Sequence, residues 1–186
     1  PQFRQQPQGR LEDLPLAGLA AGLASRGGPT GGEILRPSDR NKADRVAFVQ
    51  CAGSRDKEHL PYCSSVCCRV TLKQALLARE LDADTQAYVL YKDMRAPGQY
   101  EDFYRRTQED PGIFFTKAEV TGVQNGGGAL KVDAEDTLLG GNVQIEADLV
   151  VLAAVVAAGI AAEGVAVHRE AALRILEQPQ RDACIL

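Results

Sequence analysis

The chain has 186 residues, a net charge of −4 and five cysteines, four of which fall between Cys51 and Cys68. That length is enough for one sizeable core, or for one full domain plus pieces of a neighbour. The scattered basic residues exclude a nucleic-acid surface, and the richest apolar stretch, Leu149 to Ala162, is too short and too broken by Gly159 to span a membrane. Clustered cysteines in a chain expected to be cytoplasmic point to metal or redox chemistry before structural disulfides. The missing initiator methionine and the different texture of the two ends suggest a piece of something longer.

Residues 1 to 10 are polar and rich in glutamine and proline, and Leu11, Leu14, Leu16, Leu19 and Leu23 then predict an amphipathic helix stopped by Gly27, Gly28 and Pro29. The glycine-rich stretch to Gly32 reads as a flexible linker rather than a phosphate loop, because Glu33 stands where that loop needs a lysine. Arg36 to Asp44 is a charged turn. Val46 to Val49, apolar at every position, predicts a central parallel strand ending at Gln50 and Cys51. A loop follows. From about Ser64, the helical spacing of Val66, Val70, Leu72, Leu76, Leu77 and Leu81 predicts a helix.

A second strand is expected over Gln86 to Tyr91, a second helix over Tyr100 to Gln108 with Phe103 and Tyr104 toward the sheet, and a third strand over Ile113 to Thr116. Glu119 to Gln124, Ala129 to Ala134 and Val143 to Ile145 alternate apolar with polar residues between glycine-rich turns, the pattern of an antiparallel meander. Asp148 introduces another buried strand, Leu149 to Leu152, and Glu170 to Glu177 reads as a closing helix.

This order predicts an α/β dinucleotide-binding domain over residues 43–154: a parallel sheet with crossover helices on one side and an inserted three-stranded antiparallel meander. Residues 1–42 would be a helix and linker leading in, and residues 155–186 a C-terminal helical segment belonging in part to a neighbouring domain. One element is missing. The first strand-to-helix turn of such a domain carries G-x-G-x-x-G, so that backbone can approach a pyrophosphate. Here the turn holds Cys51-Ala52-Gly53-Ser54 and then a cysteine loop. The chain alone is therefore expected to bind neither NAD(P)H nor FAD tightly.

The cysteines are spaced C-x11-C-x3-C-C. If Cys63 and Cys67 are both helical they share one face, with Cys51 arriving from the strand end and Cys68 further round, so all four can surround one cavity. A helix N-terminus favours thiolates, and Arg55, Lys57 and Arg69 add basic groups nearby. Four thiolates are the usual complement of an iron–sulfur cluster or a structural zinc; the adjacent Cys67-Cys68 suits a four-iron cube better than a compact zinc tetrahedron. A zinc-stabilised or metal-free docking domain, and a thiol–disulfide enzyme using Cys67 and Cys68, remain as alternatives. Cys184 reads as a free surface thiol, His59 as a solvated loop histidine, and Tyr62 as either a shield for the cysteines or a packing residue. Asp93 and Arg95 lie at the edge where open α/β sheets bind ligands, as a structural ion pair or turn cap or as contacts to a flavin or partner subunit.

The segments QCAGSRD, PYCSSVCC, KQALLARE, YKDMRAPGQYEDFYRR and DTLLGGNVQIEADLVVLA, running from about Gly28 to Ala153, resemble the flavoprotein (A) component of heterodisulfide reductase. They are similar also to the flavoprotein components of the quinone-interacting membrane-bound oxidoreductase. The resemblance implies the second dinucleotide-fold domain of a thioredoxin-reductase-like flavoprotein, with Cys51, Cys63, Cys67 and Cys68 as ligands of a four-iron four-sulfur cluster. It implies an electron-transfer module working with other subunits and with FAD held elsewhere in the flavoprotein. Two features depart from the family: its FAD fingerprint is absent, and AAVVAAG follows Leu152 where the family usually turns through glycine and proline.

Overall fold

The strand that begins at Arg45 is apolar throughout because both of its faces are covered. In the computed structural model, which describes residues 32–57, 61–154 and 183–185, Val46 and Phe48 point to one side, into a core shared with Ala75 and Ala78 of the following helix. Ala47 and Val49 point to the other, against Val123, Val132 and Ile145 of the meander. The period of two along one strand thus feeds two cores.

In chain order the elements are β1 (Arg45–Ala52), α1 (Cys67–Leu81), β2 (Gln86–Tyr91), α2 (Tyr100–Glu109), β3 (Ile113–Asn125), β4 (Leu130–Asp136), β5 (Asn142–Ala147), β6 (Leu149–Ala154) and β7 (Ala183–Ile185). They form one sheet in the order β5-β4-β3-β2-β1-β6-β7. From β1 the chain lays parallel β2 and β3 on one flank, then returns to place parallel β6 and β7 on the other. That 3-2-1 order, continued on the opposite flank, belongs to doubly wound dinucleotide-binding sheets. Both crossover helices lie on one face: α1 packs on the core of Val46 and Phe48, and Tyr104 of α2 meets Phe115 of the same core edge-on at 5.4 Å.

The structure corrects three boundaries. Ile113 to Thr116 and Glu119 to Gln124 are one strand, since no glycine or proline separates them. Its first part, Ile113–Lys117, pairs parallel with β2, and Ala118–Asn125 pairs antiparallel with β4 through a bulge between Val120 and Gly122. Bulges bend and twist a strand, and the meander covers the sheet face opposite the helices. Helix α1 starts at Cys67 rather than Ser64, because Ser65 takes φ +61° and breaks the helical path. Finally, β7 has no counterpart among the expected elements; it pairs with Val150–Leu152. The expected helices over Leu11–Leu23 and Glu170–Glu177, and His59, lie outside the described residues.

Two polar clusters fix the end of the sheet opposite the cysteines. Asp148, the single residue between β5 and β6, accepts from the Arg45 amide at 2.9 Å and pairs with its guanidinium at 2.9 Å, seating β6 beside β1. At the end of α1, Arg79 donates from Nε to Asp110 Oδ1 at 2.7 Å and from Nη1 to the Thr85 carbonyl at 2.9 Å and to that of Ala83. Gly112 leaves the space the guanidinium fills: a Cβ there would lie 2.2 Å from Arg79 Cζ.

Candidate metal centre

At the carboxyl end of β1 the pairing with β6 slips between Gln50 and Ala52. Gln50 still faces α1, donating to Thr71 Oγ1 at 2.5 Å, and Ala52 belongs to the meander-side core, so Cys51 is the extra residue of a bulge. Its φ is +58°, a conformation that costs an L-residue roughly 1–2 kcal/mol and that concentrates at functional sites. The chain then turns sharply. The Ser54 amide donates to the Cys51 carbonyl at 3.0 Å, Gly53 has φ +71°, and Arg55, also left-handed at φ +56°, donates its amide to the Tyr62 carbonyl at 3.2 Å. This edge, between β2 and β6, is the topological switch point where such sheets bind ligands.

Cys67 and Cys68 open α1, each 3% exposed, and pack with Ala153 of β6 against Met94, which follows β2. Cys63 is not helical, contrary to the shared-face expectation; it sits in the loop, half-buried, its sulfur accepting from the Ser65 amide at 3.3 Å. All four thiols are free. Burial pushes the Cys51 thiol up, as do neighbouring Cys67 and Cys63, while the Arg55 charge opposes them. A hydrogen bond from the Cys68 thiol brings Cys67 down to about 6 against its burial, aided by the Ser64 hydroxyl at 2.9 Å. Donating to Cys67, together with burial, pushes Cys68 up. Of this pair, Cys67 carries the negative charge.

Among the described residues no three ligand-type side chains cage a single ion. The donor set nonetheless suits an anionic, thiolate-bound group. Two polar atoms beside Cys51, Ser54 Oγ and Arg55 Nη1, are buried without a hydrogen-bond partner, and both are donors.

No family model matches the chain. It is 47% identical over 134 residues to the iron-sulfur A subunit (copy 2) of the CoB–CoM heterodisulfide reductase of Methanopyrus kandleri, covering 70% of this chain and 20% of that protein. The iron-sulfur A subunit of the CoB–CoM heterodisulfide reductase of Methanocaldococcus jannaschii is 47% identical over 131 residues, 68% of this chain and 20% of that protein. The A subunit of the ferredoxin/F(420)H(2)-dependent CoB–CoM heterodisulfide reductase of Methanosarcina acetivorans is 41% identical over 146 residues, 77% of this chain and 18% of that protein. Over this stretch the chain belongs to the family of heterodisulfide reductase A subunits. It spans about one fifth of the length of these relatives. Among solved structures, the thioredoxin reductase of T. acidophilum is similar at 14% identity and a TM-score of 0.36, covering 58% of this chain and 30% of that one. The thioredoxin reductase of Gloeobacter violaceus is similar at 17% identity and a TM-score of 0.33, over 64% of this chain and 39% of that one.

Three of the segments that carry the likeness to heterodisulfide reductase fall on one edge of the sheet. QCAGSRD forms the bulge and turn, PYCSSVCC the loop and helix start, and YKDMRAPG the exit from β2. Asp93 in the last of these takes Arg55 Nη2 at 2.6 Å and Lys117 Nζ at 3.3 Å, so of the roles open to it Asp93 makes an ion pair, with a residue of the turn after β1 and one of β3. The Cys68 sulfur lies 3.9 Å from the Asp93 carbonyl, and the neighbouring Arg95 backbone opposes the rise of its thiol. Tyr62 is half exposed, and its carbonyl rather than its ring holds the loop. Cys184 sits in β7 opposite Val151. Sequence reasoning missed Ser54, Ser64 and Lys117. The signal for Lys117 lies in the strand register, which sets it opposite Tyr91.

Proposed function

We propose that this chain is the electron-transfer module of an FAD-dependent iron–sulfur flavoprotein, holding a four-iron four-sulfur cluster through Cys51, Cys63, Cys67 and Cys68. In this reading FAD belongs to the remainder of a longer flavoprotein, and other subunits of a reductase complex supply and take the electrons. The observation that carries the proposal is the strained bulge that turns Cys51 toward the buried Cys67-Cys68 helix start, at the edge where this type of sheet otherwise receives a pyrophosphate. Support comes also from the relatives, whose names describe iron-sulfur subunits of heterodisulfide reductases.

Such a group, when bound, supplies one-electron transfer at a potential set by charge, burial and hydrogen bonds to sulfur. The chain's own residues supply the setting. Ser64 and the first turn of α1 stabilise the Cys67 thiolate, the Cys68 sulfur rests against the Asp93 carbonyl, and Ala153 with Met94 keeps water from the inner sulfurs. Two sheet-side cores and a helix layer make the fold independent of the metal, unlike a small zinc finger.

Anaerobic reconstitution with iron and sulfide is the test. About four irons and as many sulfides per chain, with brown colour, are expected, together with a higher melting temperature by ligand linkage. Cys67→Ser should lose most of that rise while its metal-free fold persists. Stoichiometric zinc in place of iron would establish the docking-domain alternative instead.

A further inference from the structure

Arg55 carries more interactions than an ion pair requires. It reaches Asp93 through Nη2 alone, at 2.6 Å, and Lys117 already sits 3.3 Å from the other oxygen of that carboxylate. Its Nη1 is buried and makes no hydrogen bond. Its backbone is held at φ +56°, four residues after the equally left-handed Cys51. A surface pair with Asp93 would need neither the unfavourable backbone nor a buried N–H without a partner, whereas both follow if the guanidinium is bent back to stand beside the Cys51 sulfur, as it does. Asp93, just past the end of β2, then holds one end of the guanidinium, and Lys117 of β3 holds the other oxygen of that carboxylate.

We infer that Arg55 is a positioning residue that presents a fixed, charged N–H donor to the group held by the four cysteines and raises its reduction potential. The inference rests on the cluster reading above. Each electron accepted adds negative charge at the sulfurs, and a half-buried cation whose guanidinium stands against the Cys51 sulfur stabilises the reduced form more than the oxidised one. Asp93 orients that cation and partly neutralises it, so the donor's direction contributes beyond its charge.

The test compares the full chain with Arg55→Gln, Arg55→Lys and Lys117→Gln after anaerobic reconstitution, reading iron content, midpoint potential by EPR-monitored titration, and melting temperature of each metal-free form. Arg55→Gln is expected to keep its iron and to lower the equilibrium constant for one-electron reduction about tenfold, a shift of ~59 mV to more negative potential. Lys117→Gln, which removes the same charge one residue further out, should move it much less, and Arg55→Lys should recover only part of the loss. Equal potentials in wild type and Arg55→Gln, or equal shifts in Arg55→Gln and Lys117→Gln, would overturn the inference while leaving the cluster reading intact. Failure of the wild type to take up iron would instead bring down the cluster reading and this inference with it. Should Arg55→Gln not fold, Arg55→Lys decides: a wild-type potential there would show that the aimed guanidinium is not needed.

Discussion

Gly112 gives a sharp test of how the scaffold is held together away from the cysteines. An alanine Cβ at this position would stand 2.2 Å from Cζ, 2.3 Å from Nε and 2.5 Å from Nη1 of Arg79, so the guanidinium must leave. It cannot move without releasing Asp110 and the carbonyls of Ala83 and Thr85, and Thr85 is buried. With the freed groups partly rebonded to water, the net loss is that of about one hydrogen bond to a charged group, about 1.5–3 kcal/mol. The stiffer unfolded chain of alanine offsets about 0.4–1 kcal/mol of that loss. A net destabilisation of about 2 kcal/mol follows, or about 6 °C in melting temperature for a chain of this size. Urea and thermal denaturation of the metal-free chain, with Arg79→Ala alone and combined with Gly112→Ala, form a double-mutant cycle. Once Arg79 is removed, Gly112→Ala should be neutral or slightly stabilising. An equal cost of Gly112→Ala in both backgrounds, or a gain in the wild type, would refute the reasoning. Iron uptake should be unchanged, because the latch lies at the other end of the strands from Cys51.

Three further outcomes are expected. In the metal-free chain Cys51→Gly should be more stable than Cys51→Ala by about 1 kcal/mol in urea denaturation, because glycine accepts the left-handed backbone that alanine resists; the reverse order would show that the bulge is not strained. Thiolate absorbance of the metal-free chain should show one step near pH 6 from Cys67, its folded value lying below the ordinary thiol range, so the charged form persists above that pH and is lost as pH falls through it. Ser64→Ala should move the step upward. Calorimetry should detect no micromolar binding of NAD(P)H or FAD to this chain, since Cys51-Ala52-Gly53-Ser54 occupies the turn where a pyrophosphate would need glycines.

Much of this architecture was legible because apolar runs and glycine-rich turns report local structure. Val46–Val49 declared a doubly covered strand, and the alternation of residues 119–145 declared a meander on one face. The continuity of β3 through Lys117 was not legible, since a change of pairing partner from parallel to antiparallel leaves no mark on the side-chain pattern of a single strand. The start of α1 was misplaced for a similar reason: apolar spacing fixes the helix body but not its first residue, and only the backbone angles show that Ser65 turns left-handed while the Ser64 hydroxyl serves Cys67. The four cysteines announced themselves by composition. Arg55, Asp93 and Lys117 form a cluster that spans three strand ends, and spacing along the chain carries no information about such contacts.

The position of β6 bears on how the protein is made. All four thiols are synthesised close together, yet Ala153, the residue that walls in Cys67 and Cys68, follows only after the second helix and the whole meander. Until β6 slides in beside β1, the far flank of the bulge is bare and the thiols face solvent, open to oxidation or to the wrong metal. The burial of Cys67 and Cys68 is therefore completed only once β6 is in place, and a ribosome-stalled chain ending before Leu149 should react with thiol reagents at Cys67 and Cys68 while the completed domain protects them.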